Sequence, residues 1–218
     1  DDRYGSFGYW QYTQHIIVYD SVAPEIAAAP VNNMPMDDGS LVFGADRADC
    51  TGLVQVDLGV TDNCSGADDL TLTADVDRNG DGFGPDDFYD IGDALADGVF
   101  APIGNHILVL TADDGCGNQT VVEIPFSVVD KKAPSPICIN GLSIELMPDG
   151  EGGGMMGVWA SDFLADSEIE DCTDVVKYSI NRVDSLVDQD QTGVDFTCAD
   201  LGEQLVEIHA WDGAGNND

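Results

Sequence analysis

One short motif occurs twice in the chain, and its spacing limits the folds that the sequence can adopt. An apolar run ends at Asp20, and two residues later comes Ala23-Pro24; a second apolar run ends at Asp130, and two residues later comes Ala133-Pro134. The two aspartates lie 110 residues apart in a chain of 218 residues. A fixed period of this kind is typical of a structural unit that is written twice. Each unit of this size can enclose one small hydrophobic core.

Two further echoes support the repeat. The segment Asp114–Asn118, with the sequence DGCGN, matches Asp212–Asn216, with the sequence DGAGN, 98 residues later. The segment 62–64, Asp-Asn-Cys, loosely matches 170–172, Glu-Asp-Cys. The predicted organisation is an N-terminal arm and strand over 1–19, a first unit over 20–130 and a second unit over 131–218.

Short β-branched and aromatic segments run through both units and predict strands. Turn residues separate them at intervals of roughly 8–12 residues, and no long helical period interrupts them. The pattern predicts an all-β fold of two tandem immunoglobulin-like antiparallel β-sandwiches, in which Pro125 lies at a sheet edge or a bulge. We expect a glycine- and aspartate-rich loop over 77–93 and a helical turn near 162–166. The predicted strands are 9–19, 41–43, 53–60, 70–74, 106–111, 121–129, 144–146, 175–180 and 204–211.

The strands and the units are out of phase. In the first unit, Asp114–Asn118 is followed by a strand that ends at Asp130, whereas Asp212–Asn216 is followed by only two residues. Residues 9–19 form a strand pattern that leads into Asp20 with no sandwich before it. We expect the second sandwich to lack its last strand, which exposes unpaired backbone groups. Two ways of filling the gap remain open: residues 9–19 of a neighbouring copy add as a donated strand and build a head-to-tail filament, or the sequence is part of a longer tandem protein that supplies the strand covalently.

The charge of the chain is extreme, because 42 Asp and Glu stand against 7 Lys and Arg and give a net charge of −35. Binding to nucleic acid or to an anionic membrane surface needs clustered Lys and Arg, so both partners are disfavoured. No apolar run of 18 residues occurs, so we expect no membrane insertion. A fold this acidic repels itself unless cations are bound, although a merely very soluble or halophilic surface is the alternative.

The most specific cation motif lies in the loop 77–83, which reads D-x-N-x-D-G-F. Side-chain oxygens at alternate positions converge on one ion in the first half of an EF-hand loop, and its sixth-position glycine permits the sharp turn. The twelfth position here is Phe88 instead of glutamate, so nearby carboxylates must close the shell. The alternative is an acidic, solvated hairpin tip. The predicted Ca²⁺ ligands are Asp77, Asn79, Asp81, the Phe83 carbonyl, Asp86 and Asp87.

A second kind of cation site is expected at the joints between units. In an immunoglobulin-like sandwich the incoming linker and two of the loops meet at one end, and this arrangement brings many oxygens together with almost no lysine. A Ca²⁺ ion there would stiffen the joint, while ordinary turn formation by Asp-Gly and Gly-Asn is the alternative. The predicted ligands are Asp20, Asp62, Asn63, Asp113, Asp114 and Asn118 at the first joint, and Asp130, Asp171, Asp212 and Asn216 at the second.

These motifs resemble a known group of extracellular repeats. The D-x-x-A-P segment, a D-N-C segment and a D-G-x-G-N segment about 90 residues after the first are similar to the tandem bacterial immunoglobulin-like and HYR-type repeats of surface adhesins and extracellular fibres. The stretch 196–202 is similar to one found in such repeats. The resemblance covers both units and implies an extracellular or cell-surface protein without catalytic activity. It also implies calcium held between domains by the matching residues Asp20, Asp114, Asn118, Asp130, Asp212 and Asn216. A cysteine that many such repeats carry after the position of Asn216 is missing.

Six cysteines in an acidic chain suggest an oxidising, extracellular setting. They allow about 15 pairings. We predict Cys64–Cys116 and Cys172–Cys198 and leave Cys50 unplaced, along with Cys138; buried free thiols are the alternative for any of them. Asn63 and Asn118 each begin an N-x-S/T sequon, so they are candidate glycan carriers, and a glycan would exclude them as calcium ligands.

The same residues favour a structural role over an enzymatic one. His15, His106 and His209 all fall inside strand patterns, and no Ser/His/Asp or Cys/His grouping stands out. We therefore expect a structural subunit of an extracellular filament or stalk that binds copies of itself and calcium. The alternative is a repeat of a surface adhesin, or a carbohydrate- or protein-binding module with a tryptophan platform of Trp10, Trp159 and Trp211.

Overall fold

The computed structural model describes residues 10–34, 40–165 and 171–218. Most of its regular structure is β, as the alternation predicted. The first half contains β1 (Glu25–Pro30), β2 (Leu41–Ala45), β3 (Thr51–Val54), β4 (Val56–Thr61), β5 (Thr71–Arg78), α1 (Gly92–Asp97), β6 (Val99–Pro102), β7 (Gly104–Asp113) and β8 (Gln119–Asp130). The second half contains β9 (Met147–Pro148), β10 (Gly154–Trp159), a 3-10 turn (Ala160–Phe163), β11 (Val175–Arg182), β12 (Gly193–Thr197), a second 3-10 turn (Cys198–Asp200) and β13 (Val206–Asp212).

The first half is built on one six-stranded sheet in the order β5-β7-β8-β2-β3-β6, with β1 and β4 paired separately. The strand β8 is its central element, because β8 pairs antiparallel with β7 over residues 119–128 and parallel with β2 from Phe126 onward. Side chains alternate strictly along β8, and Phe126 and Val128 point into the core with Phe43, Leu108 and others. The hydrophobic effect therefore fixes the register of β8, since a slip by one residue would expose this set.

The second half has two separate sheets in place of one. β11 pairs with β13, and β12, β10 and β9 form the other sheet. The buried core between them is smaller and consists of Val158, Ala160, Ile180, Val194 and Phe196.

The two halves share one strand order, with a gap. Removing β8 from the first sheet leaves β5-β7 and β2-β3-β6, which is the arrangement of β11-β13 and β9-β10-β12. Among the described residues, only the segment 217–218 takes up the position of β8, because Asn217 bridges Trp211 just as Gln119 pairs with Asp113. The second half therefore has a gap where the first half has its central strand.

Residues 10–19, hereafter the leader, form no strand within the chain. This differs from the predicted strand over 9–19, of which residue 9 lies outside the described part. The side chains of Ile16 and Val18 are 81% and 90% exposed, and Trp10 and Tyr12 are exposed as well. A strand needs a partner edge for its backbone groups, and the leader pairs with none among the described residues of its own chain.

Other differences from the sequence-based strands have local causes. The predicted strand 53–60 is divided at Gln55, whose N–H donates to Asn32 Oδ1 instead of a neighbouring strand. The helix α1 begins at Gly92, at the end of the predicted loop 77–93, and the completely buried Leu95 anchors it to the core. The segment 144–146 pairs with no strand, and the adjoining β10 and β12 were not predicted. Pro125 sits just before β2 begins to pair, so its missing N–H costs β8 nothing.

Candidate functional site

Three aspartates from distant parts of the first half meet at the first joint. Carboxylate oxygens of Asp20, Asp62 and Asp114 lie within 4.8 Å of one another. The incoming linker carries Asp20, the segment after β4 carries Asp62, and the turn between β7 and β8 carries Asp114. The fold therefore assembles the acidic joint that the motif spacing predicted.

The turn after β7 fixes Asp114 through its own hydrogen bonds. Asp114 Oδ1 accepts from the N–H groups of Cys116 and Asn118, at 2.8 and 3.0 Å, and Oδ2 accepts from Asn118 Nδ2. These donors, led by the Asn118 side chain, lower the pKa of Asp114, so the carboxylate stays ionised in the folded protein. Because its side-chain nitrogen faces Asp114, Asn118 is engaged as a hydrogen-bond donor.

Asp62 and Asp20 each leave one buried oxygen without a partner. Asp62 Oδ2 accepts from the N–H groups of Cys64 and Ser65, both at 2.8 Å, which lowers the pKa of Asp62. Its Oδ1 and Asp20 Oδ2 are buried with no hydrogen bond. An unpaired buried acceptor is costly, and two of them beside a third carboxylate create a strongly negative cluster of oxygens, next to which lies the Cys64 thiol. Such a cluster has the donor chemistry of a hard divalent cation.

At the second joint Asp130, Asp171 and Cys172 lie within 4.8 Å of one another, and the charge of Asp212 acts on Asp171. Asp130 Oδ1 accepts from the Lys132 N–H at 2.9 Å, as Asp20 Oδ1 accepts from the Val22 N–H at 3.0 Å. The two linkers therefore make the same turn.

Asp171 is a buried carboxylate without hydrogen-bond partners at the second joint. Its side chain is only 1% exposed, and neither carboxylate oxygen accepts a hydrogen bond. Burial raises the pKa of Asp171, and the neighbouring charges of Asp130 and Asp212 raise it further. The Lys132 ammonium lies 4.0 Å from Asp171 Oδ1, so this joint contains a cation of its own. Val22 occupies the matching position of the first joint, which gives that joint no such lysine.

A disulfide crosses the second joint and corrects the predicted pairing. Cys172 is bonded to Cys50, 122 residues away, so the predicted Cys172–Cys198 pair is wrong. Cys64 and Cys116 carry free thiols, in contrast to the predicted bond between them, and Cys198 is also free. Although Cys172 lies within 4.8 Å of the Asp130 and Asp171 oxygens, its oxidised sulfur is not a thiolate ligand. The bond instead ties the β2–β3 turn to the second half.

Among the described residues, no three carboxylates of the D-x-N-x-D-G loop lie within 4.8 Å of one another. In the described part of the chain, groups of three or more acidic, Cys or His side chains within 4.8 Å occur only at the two joints. Asp87 accepts from the N–H groups of Arg78 and Gly84 and therefore caps the turn. The Arg78 guanidinium donates to the Asp86 carbonyl and supplies an internal positive charge. Only Asp77 keeps the expected character, with one oxygen bound to the Gly82 N–H and the other buried without a partner.

Some predicted ligands of the first joint face elsewhere. Asp113 Oδ1 accepts from the Gly115 N–H, and Asn63 Nδ2 donates to the Cys64 sulfur. At the second joint Asn216 Nδ2 donates to the Asp130 carbonyl and to Asp212 Oδ2, so its amide nitrogen braces the turn. Asparagine spacing alone indicates the turn but not which amide atom faces the joint.

The gap in the second half is a groove lined by apolar side chains and by polar residues such as Asp200, Glu203 and Gln204. It has a volume of about 780 Å³ and opens to solvent. Ile144 and Leu146 line one wall, and Val206 and Ile208 of β13 line the other. The floor is made of the core residues Val158, Phe163 and Phe196. The sequence indicated the groove through the missing strand, but nothing in it indicated the Cys50–Cys172 bond.

Comparisons with known proteins add no family to these observations. No protein-family model matches the chain, and no curated protein matches it. Across the described residues, no helix is long and apolar enough to cross a membrane.

Proposed function

We propose that the chain is a structural subunit of an extracellular filament or stalk made of immunoglobulin-like β-sandwiches. Successive copies join head-to-tail when the leader of one copy completes the second half of the copy before it; in a longer tandem protein a covalent segment would do the same. The interrupted sheet carries this proposal. An open pair of strand edges over an apolar groove is a site for β-strand addition.

Four of the five inward positions of the leader carry large apolar or aromatic side chains, as the groove requires, and Gln14 takes the position of Ile124. In β8 the even-numbered residues face the core, including Val122, Phe126 and Val128. The residues of the leader at the same distance before its Asp are Tyr12, Ile16 and Val18. Their exposed apolar side chains would become the buried face of a new strand, and this burial drives the association.

The leader cannot reach the groove of its own chain. Thr120 at the start of β8 bonds the Pro24 carbonyl near Asp20, whereas Asp130 at the end of β8 enters the second half. At roughly 3.3 Å per residue, the 12 residues of β8 span about 40 Å. A fully extended ten-residue leader spans at most about 36 Å, so it would end before the groove begins. Donation between copies is then heterologous and does not close on itself, which gives a linear filament.

Calcium stiffens the joints in this proposal. At the first joint, Asp20, Asp62 and Asp114 would hold the ion, and the support is the pair of buried oxygens without partners. Ca²⁺ accepts six to eight oxygen ligands in irregular geometry, so carbonyls and waters can complete the shell. The second joint depends less on an ion because Lys132 and the disulfide already hold it. Secretion into an oxidising, calcium-rich setting agrees with this chemistry.

Electron microscopy and light scattering of the 218-residue chain test the proposal. We expect filaments in calcium-containing buffer, and single particles when residues 1–19 are deleted. Uniform 23.1 kDa particles at all concentrations of the full chain would contradict strand donation.

A surface adhesin repeat or binding module is the second candidate. It is favoured by the half-exposed Trp159 on β10 and the fully exposed Trp10. The third tryptophan of the suggested platform, Trp211, donates its indole N–H to Ser179 Oγ and is partly buried. Single particles that bind an immobilised glycan or protein through Trp159 would support this candidate instead.

A further inference from the structure

The structure assigns one register to the donated strand: the leader pairs antiparallel with β13 and parallel with residues 144–148, with Ile16 and Val18 in the groove. This inference rests on the proposed strand donation and goes beyond it, because it names the facing residues. It follows from the way in which the two halves repeat each other.

The turn after β13 shows that β13 corresponds to β7. Asp212 Oδ1 accepts from the Asn216 N–H at 2.7 Å, and Asp114 Oδ1 accepts from the Asn118 N–H at 3.0 Å. The backbone N–H groups of Asp212 and Asp114 also bond the carbonyls of Asn216 and Asn118. After this turn Asp218 exchanges both backbone hydrogen bonds with Ala210. Residue 218 therefore pairs with β13 in the same register in which the start of β8 pairs with β7.

The linker turns show that the leader corresponds to β8. Asp20 and Asp130 accept the same N–H bond from the residue two positions later, and the prolines that follow, Pro24 and Pro134, are both buried. Counting back from these aspartates places Ile16 at the position of Phe126 and His15 at the position of Pro125.

Combining the two correspondences gives the antiparallel pairs. Pro125 faces Ile107 in the β7–β8 ladder, so His15 of one copy faces Leu205 of the copy before it. In the same register Tyr12 faces Ile208, a groove residue. Residues 217–218 fill only the first two positions of β8, because residue 218 corresponds to Thr120. The next position, Val121, corresponds to Gln11 of the leader, so the leader fills the strand from that point on.

The opposite wall gives an independent check. Pro148 pairs with Gly154 as Ala45 pairs with Gly52, so β9 corresponds to the end of β2. Leu41 lies beside Phe126 in the parallel ladder, and the same step places Ile144 beside Ile16. It also places Leu146 beside Val18. The segment 144–146 has the sequence of a strand but forms no strand in the single chain. Its counterpart in the first half pairs with β8, and in the second half that partner is the donated leader.

Both walls therefore select the same face of the leader. Even-numbered residues enter the groove, and odd-numbered residues such as His15 and Ile17 face outward. The completed sheet would have the order β11-β13-leader-β9-β10-β12, with backbone hydrogen bonds on both sides of the leader.

A disulfide between the outward-facing pair tests the register. Pro125 has no N–H, so the Ile107–Pro125 pair cannot exchange both ladder bonds and is a non-hydrogen-bonded pair. Facing Cα atoms in such a pair lie about 4.5 Å apart, within the range of disulfides. We expect a chain with His15→Cys, mixed with a chain with Leu205→Cys, to give a covalent dimer on mild oxidation. Each variant alone, and the parent chain with its native thiols, should not give this product.

Glu207→Cys in place of Leu205→Cys is the matched control, because Glu207 lies on β13 two positions after Leu205, which directly precedes the strand. Cross-linking of His15→Cys to Glu207→Cys in preference to Leu205→Cys would overturn the register while the filament persists. Filaments without any cross-link through Leu205→Cys would also overturn it. If neither filaments nor cross-links form, strand donation itself fails, and the register fails with it.

Discussion

Alanine substitutions at Ile16 and at its neighbour Ile17 distinguish strand donation from nonspecific hydrophobic association of the leader. Ile16 is 81% exposed and Ile17 is 84% exposed in the free chain, so their starting points match. In β8 the counterpart of Ile16 is the buried Phe126, and the counterpart of Ile17 is the half-buried Ser127. The account therefore predicts a large effect at Ile16 and a small one at Ile17.

The magnitude follows from the surface that each side chain loses. Ile16→Ala removes the equivalent of about three methylene groups, each worth about 0.8 kcal/mol of burial, or about 2.4 kcal/mol. At about 1.4 kcal/mol for each factor of ten, the junction weakens about 50-fold. A change on the outward face is worth less than about 0.5 kcal/mol, so Ile17→Ala weakens the junction no more than about twofold.

Sedimentation across a concentration series measures the result as the lowest protein concentration at which filaments form. That concentration should rise about 50-fold for Ile16→Ala and stay within about twofold of the parent for Ile17→Ala. Equal losses in the two variants would refute the assigned face. A larger loss for Ile17→Ala would mean that the odd-numbered residues enter the groove.

Three further predictions concern the joints and the core. Gly152 lies two residues before Gly154, which pairs with Pro148, as Cys50 lies two residues before Gly52, which pairs with Ala45, and both have positive φ, 95° and 58°. Gly152→Cys should therefore bond to Cys64 of the next copy and give an oxidation-dependent ladder on denaturing gels. No ladder from intact filaments would show that the junction differs from the second joint. A calcium chelator should lower the unfolding temperature, because calcium at a concentration of about 100 times its Kd stabilises the folded state by about 2.7 kcal/mol. Asp62→Asn should reduce this difference in unfolding temperature. An unchanged unfolding temperature of the parent chain would contradict the calcium site. Burial lowers the pKa of His106, so the neutral ring is favoured and the free energy of unfolding should fall as the pH drops below about 6.5. His106→Gln should flatten this pH dependence in urea titrations. The same pH dependence in parent and variant would show that His106 does not cause it.

The alternating segments and the repeated aspartate turns could be predicted from the sequence because each is a local signal. β7 and β8 alternate strictly, and the two D-G-x-G-N turns are closed by the aspartate and asparagine that the motif contains. The meeting of Asp20, Asp62 and Asp114 followed from the repeat and the expected fold class. In each case the residues that define the pattern also make the bonds.

Features that depend on distant partners could not be predicted. β10 reads Gly-Met-Met-Gly-Val-Trp, and it forms because Val158 fills the second core. The Cys50–Cys172 bond joins residues 122 positions apart, and no spacing rule selects it among the possible pairings. In the loop at 77–83, the motif indicated the turn but not that Asp87 accepts from the Arg78 N–H or that the Arg78 guanidinium donates to the Asp86 carbonyl.

Hydrogen exchange over residues 11–19 shows whether the leader becomes a strand on assembly, because these amides form no strand pairing with the described residues of the single chain. Strand donation predicts slow exchange in assembled protein and fast exchange after dilution below the assembly concentration, with β13 and residues 144–148 following the same change. Fast exchange of the leader in intact filaments, or protection that is independent of concentration, would contradict the donated strand.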